Sequence, residues 1–244
     1  MKKLNLSGGE PFLYPKLVGQ MIEYCKQELN LESVSIVSNG SKIKENFFEK
    51  YGKYLDILAV SCDSFDENTN LVIGRGKGEH ITQLENVSKW CKKYNVMFKL
   101  NTVVNKYNFN EDMNQEIARL QPIRWKCFQV LLVETENAGQ DAIRNAETFL
   151  INDKQFEDFC SRHSSQKSLV RENNRVMKSS YIILDERMRF LNKGDVYRES
   201  KSILEVGLKE AMEGIDFDQN TFDERLGVYD WSKDKCNTDS KLEW

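Results

Sequence analysis

The sequence predicts an α/β fold in which a parallel β-sheet is covered by helices. Strand-like and helix-like segments alternate over the first 135 residues, the order expected of a βαβα chain. The strand-like runs are nearly continuous in apolar residues, as in sheets covered by helices. Each connection between them is longer than about a dozen residues, enough for the crossover that parallel neighbours require.

Five strands are predicted, and a helical pattern follows each of the first four. The strands are 3–6, 33–37, 57–60, 96–104 and 124–132, and the helices are 16–29, 43–51, 81–94 and from 110 or 111 to 120. In the first helix, Leu17, Val18, Met21, Ile22 and Cys25 share one helical face. Five strands are fewer than the eight of a closed barrel.

The pattern changes after residue 135, which predicts a boundary between a unit at 1–135 and an α+β extension at 136–244. Residues 134–144 are polar and loop-like. A helix is predicted at 153–162, a hairpin at 181–184 and 188–191, and another helix at 202–212. The tail from residue 216 is polar.

Composition excludes several classes of function. With 244 residues and a net charge of −3, the chain lacks the basic character of nucleic-acid binders. No apolar run approaches the ~20 residues that span a bilayer. Scattered cysteines without a C-x-x-C pair argue against a structural zinc site and a disulfide scaffold, and the presence of only two histidines argues against a histidine-based metal site. The cysteines are Cys25, Cys62, Cys91, Cys127, Cys160 and Cys236.

Polar residues follow the first three predicted strands, where ligands bind in parallel α/β folds. They are Ser7-Gly8-Gly9-Glu10, Ser38-Asn39-Gly40-Ser41 and Ser61-Cys62-Asp63-Ser64. Glycine lets a ligand approach the backbone closely, and the Glu10 carboxylate can accept hydrogen bonds from an ammonium group. The alternatives are ordinary turns for the first two segments and a helix cap at Ser61 or Asp63 for the third.

The next two strands carry polar or charged residues within them, and a basic glycine-rich loop precedes the third helix. Lys99, Asn101, Arg124 and Lys126 lie in these strands. A lysine in a helix-flanked strand needs a partner or an anionic ligand; the alternative is a solvated face. The loop at 73–78 has neither Walker A nor dinucleotide-binding spacing, yet its Arg75 can bind anionic oxygens bidentately. Alternatively it is a flexible surface loop.

Several longer strings resemble the viperin-like radical S-adenosylmethionine (SAM) enzymes. They are SGGEPF, SVSIVSNGS, YLDILAVSCDSFDE, IGRG, RWKCFQVLL and MRFLN, and the likeness extends from Lys3 to Trp244. The resemblance implies a partial (βα) barrel of the radical SAM type with SAM and a [4Fe–4S] cluster as cofactors. It also implies an antiviral lyase that dehydrates CTP to 3′-deoxy-3′,4′-didehydro-CTP.

One departure from the family pattern concerns the cluster. The family holds it with a C-x-x-x-C-x-x-C loop after the first strand, and this sequence has no such triplet. We therefore expect a fragment or isoform that lacks the first strand, the cluster loop and the membrane-anchoring N-terminal helix. The alternative is a cluster-free isoform that acts as a nucleotide-binding or protein-interaction module.

The resemblance also assigns roles to residues. Gly8, Gly9, Glu10, Ser38, Asn39, Gly40, Ser61 and Arg75 would bind SAM, with Ser61 and Arg75 meeting its carboxylate or the substrate phosphate. Lys3, Lys99, Asn101, Arg124, Lys126 and Arg225 would bind CTP. Tyr181 would be the catalytic residue beside the substrate.

The resemblance further implies a partner and a location. The terminal Leu242-Glu243-Trp244 is similar to the family's tail, which engages the cytosolic iron–sulfur targeting complex. The alternative is a frayed terminus. We expect this chain in the cytoplasm, and intact family members on the endoplasmic reticulum and lipid-droplet surface.

Overall fold

The computed structural model describes residues 2–132, 145–191, 199–213, 215, 217–224 and 233. The chain forms two compact units. The first comprises Met1–Gln129, Phe149–Arg171 and Asp230–Trp244, and the second comprises Val130–Thr148 and Glu172–Tyr229. The first unit is therefore assembled from three separate stretches of sequence.

The first unit is built on a six-stranded sheet in the order β1-β2-β3-β4-β5-β6. The strands are β1 (Lys3–Leu6), β2 (Ser33–Ser38), β3 (Ile57–Ser61), β4 (Met97–Val104), β5 (Arg124–Gln129) and β6 (Leu169–Glu172). Neighbours from β1 to β5 are parallel. The α/β prediction is confirmed, and the five strands predicted within the first 135 residues are all present, whereas β6 was not predicted. The missed β6 has only two apolar residues, so its own sequence does not show it.

Six described α-helices belong to this unit, besides two short 3₁₀ helices at Pro11–Leu13 and Gly52–Tyr54. They are α1 (Pro15–Gln27), α2 (Glu45–Tyr51), α3 (Glu67–Ile73), α4 (His80–Lys93), α5 (Asn114–Leu120) and α6 (Asp153–Arg162). Helix α3 was not predicted, because its only apolar residues, Leu71, Val72 and Ile73, are consecutive and show no helical period. Asp66, rather than Ser61 or Asp63, caps it by accepting a hydrogen bond from the Thr69 N–H at 2.7 Å.

The two faces of the sheet differ in chemistry. Residues paired by register lie on the same face, and alternate residues lie on opposite faces. One face is almost entirely apolar and buried, and it carries Val34, Ile36, Leu58, Val60, Leu100 and Trp125. We call the opposite face the polar face. Its polar residues are Lys3, Asn5, Ser33, Ser35, Ser61, Lys99, Asn101, Arg124 and Lys126, and they lie among the apolar Val37, Ile57, Ala59, Met97, Val103 and Phe128.

The second unit contains short elements. They are α7 (Asn174–Ser179), β7 (Ile183–Leu184), β8 (Phe190–Leu191), α8 (Ile203–Met212) and α9 (Gln219–Glu224). The predicted hairpin is confirmed as the antiparallel β7–β8 pair, although shorter than expected. The Asp185 carboxylate closes its turn by accepting hydrogen bonds from the Arg187 and Arg189 N–H groups at 2.9 and 2.8 Å. None of the described helices is long and apolar enough to cross a membrane.

Candidate ligand site at the carboxyl ends of the strands

The Gly-Gly pair after β1 forms an open backbone loop. Gly8 and Gly9 have φ values of 98° and 53°, a region that other residues rarely adopt. A Cβ atom at either position would meet no atom within 4 Å. These glycines are therefore required by backbone conformation rather than by crowding, and the space beside the loop can admit a ligand.

The Glu10 carboxylate connects the ends of β1 and β2. Its Oε1 accepts hydrogen bonds from the Ser38 hydroxyl at 2.7 Å and the Phe12 N–H at 3.0 Å, and its Oε2 accepts one from the Asn39 N–H at 2.7 Å. A carboxylate offers about four acceptor positions. Most of its capacity therefore goes to fixing the loops, and one position on Oε2 remains for the ligand ammonium predicted from the sequence.

Gly40 fixes the loop after β2. Its φ is 83°, and a Cβ atom there would lie 3.1 Å from Val60 Cγ1. Its N–H donates to the Ser38 Oγ at 2.9 Å, and its carbonyl accepts from the Gln83 side chain at 3.0 Å. The loop thus lies against both β3 and α4, which explains the glycine in physical terms.

Arg75 is held beside the end of β3 by Asp63. Its Nε donates to Asp63 Oδ2 at 2.6 Å, and Asp63 Oδ1 accepts from the Val103 N–H at 2.9 Å. The Arg75 side chain is 17% exposed. Neither of its terminal nitrogens has a hydrogen-bond partner among the described residues, so they can bind an anionic oxygen. The sequence argument identified Arg75 but missed Asp63 as its anchor, because that pairing depends on the fold.

His80, at the start of α4, was also missed. It is 5% exposed, and its Nε2 has no hydrogen-bond partner in the part of the chain that the structure describes. Burial lowers its pKa, and the charge of Arg75 lowers it further. A histidine without other motif residues near it in the sequence gives no signal of a site, so only the structure could show the position of His80.

Glu111 supports the segment between β3 and α3. Its carboxylate accepts hydrogen bonds from the Ser64 hydroxyl at 2.7 Å and the Phe65 N–H at 2.8 Å. Burial raises its pKa, an effect that these two hydrogen bonds oppose. Glu111 therefore acts on the site indirectly, by ordering the chain that leads to Asp63 and Arg75.

The polar face brings the predicted nucleotide-binding residues into two adjacent rows. Ser61, Asn101 and Lys126 form one row, one step before the Val103–Phe128 pair that lies nearest the carboxyl ends, and Lys99 and Arg124 lie in the next row toward the amino ends. From strand spacing and rise, Lys99 and Lys126 have Cα atoms about 8 Å apart. Lys99 and Arg124 are 7% and 3% exposed. The fold thus gathers three cations and two neutral polar groups.

The remaining predicted residues lie elsewhere. Lys3 is on the polar face but pairs with Ser33 at the amino end of the sheet, about three rows or ~20 Å along the strands from the Ser61 row. Tyr181 is half-buried in the second unit, just before β7. Arg225 and Trp244 lie outside the described residues.

Comparison with known proteins identifies the family. Residues 1–120 match the Radical SAM superfamily. The zebrafish (Danio rerio) "S-adenosylmethionine-dependent nucleotide dehydratase RSAD2" is 54% identical across all of this chain, which covers 68% of that protein. The chain belongs to the radical SAM nucleotide dehydratases. The Oncorhynchus mykiss protein of the same name is 52% identical, with 70% of its length covered.

Solved structures agree on the fold. The chain superimposes on anSMEcpe with bound AdoMet and a Kp18Cys peptide with a TM-score of 0.62, at 14% identity, covering 87% of this chain and 67% of that one. Streptococcus suis SuiB bound to S-adenosylmethionine gives 0.59 at 13% identity, covering 91% and 56%. At these identities the similarity concerns the fold alone, and together with the family match it confirms the predicted fold class.

The family's two cofactors differ in how well the described residues fit them. The open Gly8–Gly9 loop and the Arg75 nitrogens fit the ammonium and carboxylate ends of SAM. The described cysteines do not fit a [4Fe–4S] cluster, because all five are buried and lie in five different segments. Burial raises the pKa of each thiol, which disfavours the thiolate that binds iron. Among the described residues no group of three acidic, histidine or cysteine side chains could hold a metal ion.

Proposed function

We propose that this chain is the SAM- and nucleotide-binding part of an enzyme that dehydrates CTP to 3′-deoxy-3′,4′-didehydro-CTP in antiviral defence. The observation that carries the proposal is the polar face, which brings Lys99, Arg124 and Lys126 into two adjacent rows of the sheet. Family membership supports a nucleotide as the substrate.

The charges on the polar face suit a triphosphate. A nucleoside triphosphate carries about four negative charges near neutral pH, and such groups bind clustered lysine and arginine side chains. Arg124 supplies a planar fork for bidentate contacts, and Lys99 and Lys126 supply point charges. Asn101, between Ser61 and Lys126 in register, can donate to and accept from a ribose hydroxyl.

The strand-end loops suit SAM. In our proposal the carbonyl groups of Gly8 and Gly9, with the remaining acceptor position of Glu10, bind the ammonium group. Arg75 binds the carboxylate, and Ser38 to Gly40 lie along the ribose. When bound with its cluster, SAM supplies the radical that abstracts hydrogen from the substrate sugar. The residues of this chain orient the two ligands, and Tyr181 is proposed as the catalytic group beside the substrate.

A second candidate is a cluster-free module that binds nucleotides or proteins. The dispersed, buried cysteines favour it for the chain as given.

Under either proposal we place the chain in the cytoplasm, with Trp244 as the contact for the iron–sulfur targeting complex. Pull-down of that complex by the chain with and without its last three residues tests this contact.

Calorimetric titration with CTP tests the nucleotide site. Lys126→Met should weaken binding about tenfold or more, because a charge-assisted hydrogen bond contributes about 1.5–3 kcal/mol. Lys92→Met, on the exposed side of α4, removes the same charge and should bind CTP like the parent chain. Binding should also weaken as salt rises, because salt screens the phosphate contacts. Equal affinity in all three proteins, or no dependence on salt, would show that the proposed site is wrong.

A further inference from the structure

Arg75 and Asp63 form an ion pair in which both side chains are largely buried. The Arg75 Nε lies 2.6 Å from Asp63 Oδ2, and the two side chains are 17% and 4% exposed. Among the described residues this contact involves only Nε, so the edge of the guanidinium that carries the two terminal nitrogens remains for a ligand. That edge presents parallel N–H donors, which match two oxygens of a carboxylate or of a phosphate. Shape alone therefore admits both anions.

Asp63 cannot turn away from Arg75, because other contacts also hold it. Its Oδ1 accepts the Val103 N–H at 2.9 Å, and its backbone carbonyl accepts the Asn108 side-chain amide at 2.6 Å. Val103 belongs to β4, and Asn108 is fully buried. The carboxylate is thus fastened to the neighbouring strand, and its negative charge stays beside the guanidinium whatever binds there.

The fixed charge of Asp63 distinguishes the two anions. Arg75 and Asp63 together carry no net charge. The head of an amino acid is also neutral as a whole, because its ammonium group lies next to its carboxylate. A phosphate group brings about two negative charges without a cation of its own. Removing an ion from water costs free energy that rises with the square of its charge, and a neutral pair cannot offset that cost for a dianion.

We propose that Asp63 is the specificity-determining residue of the SAM site: it fixes Arg75 through Nε and cancels its charge, so that the terminal nitrogens select the carboxylate of an amino-acid head over a phosphate group. This inference rests on the proposed SAM site and names the residue that sets its preference. It also assigns the substrate phosphates to the polar face rather than to Arg75, a choice that the sequence leaves open.

Competition for SAM binding tests the selection. Equilibrium dialysis measures the SAM affinity of the full chain, with inorganic phosphate as the competing anion. Asp63→Asn removes the charge and one acceptor. Its SAM affinity should fall about tenfold, the effect of one charge-assisted hydrogen bond, whereas phosphate should compete about tenfold more strongly than in the parent chain. The two affinities then move in opposite directions, which a loss of folded structure does not produce.

A measurement on the parent chain needs no variant. Decarboxylated SAM lacks the group that Arg75 is proposed to bind, so it should bind about tenfold more weakly than SAM. Phosphate should compete only weakly with SAM in the same experiment, because the Arg75–Asp63 pair is neutral.

Three further variants separate the charge of Asp63 from its part in the fold. Asp63→Glu keeps the charge and should retain the weak phosphate competition of the parent chain. Glu79→Gln removes an exposed charge four residues after Arg75 and should behave like the parent chain. Arg75→Met should lose SAM affinity, and adding Asp63→Asn to it should no longer strengthen phosphate competition, because Asp63 acts through the guanidinium. Thermal melting shows whether each variant folds.

The outcomes distinguish this inference from the SAM site itself. If the parent chain binds SAM but Asp63→Asn leaves both affinities unchanged or lowers both, the inference is wrong while the SAM site stands. The same holds if phosphate competes as strongly in the parent chain as in Asp63→Asn. If the parent chain does not bind SAM, both the site and the inference are wrong.

Discussion

Glu10→Gln tests the connection between β1 and β2. The carboxylate accepts three hydrogen bonds, two at Oε1 and one at Oε2. An amide oxygen in the Oε1 position keeps the bonds from Ser38 and Phe12 but turns an NH₂ group toward the Asn39 N–H. The variant loses one hydrogen bond to a charged acceptor and sets two donors against each other. We expect a loss of about 1.5–3 kcal/mol in the free energy of unfolding.

For a chain of this size, that loss corresponds to a melting temperature lower by about 3–12 °C. Circular dichroism melting and urea unfolding measure it. Glu10→Ala removes all three acceptors and should lose more stability than Glu10→Gln. Glu28→Gln, at an exposed glutamate, changes the charge equally and is the matched control. If Glu10→Gln has the melting temperature of the parent chain, the carboxylate does not join the strand ends. The same conclusion follows if the Glu28→Gln control loses as much stability as Glu10→Gln.

Two further predictions concern pH and iron. Burial lowers the pKa of His163, so between that pKa and the ordinary value of 6.5 the unfolded chain binds more protons than the folded one. Stability should therefore fall as the pH is lowered below about 6.5, and urea melts of His163→Gln should show a weaker pH dependence. Anaerobic reconstitution of the chain as given should leave no cluster, because its cysteines are dispersed and buried. Finding about four irons per chain together with 5′-deoxyadenosine formation would contradict this.

The local pattern was sufficient to predict most of the fold. Apolar runs and helical periods located β1 to β5 and helices α1, α2, α4, α5, α6 and α8 within a few residues. The pattern did not show α3, whose apolar residues are consecutive, or β6, which has only two apolar residues. The structure places β6 beside Trp125, whose N–H donates to the Ser168 carbonyl at 2.6 Å.

The sequence by itself determined the chemistry at the strand ends. Gly8, Gly9 and Gly40 were singled out as loop glycines, and each adopts a positive φ that favours glycine. Lys99 was singled out because a charge within a buried strand needs an opposite charge or ligand. These inferences depend only on residue type and on neighbours a few positions away, so they could be made without coordinates.

Only the tertiary structure decided which residues meet. The register between β3, β4 and β5 gathers Ser61, Asn101 and Lys126 in one row but leaves Lys3 at the far end of the sheet. Shifting a strand by one residue would turn each of these side chains to the apolar face. Register is set by packing over the whole sheet, and the pairing of Arg75 with Asp63 depends equally on how the loop folds back. Such contacts between distant parts of the chain have no signature in the local sequence.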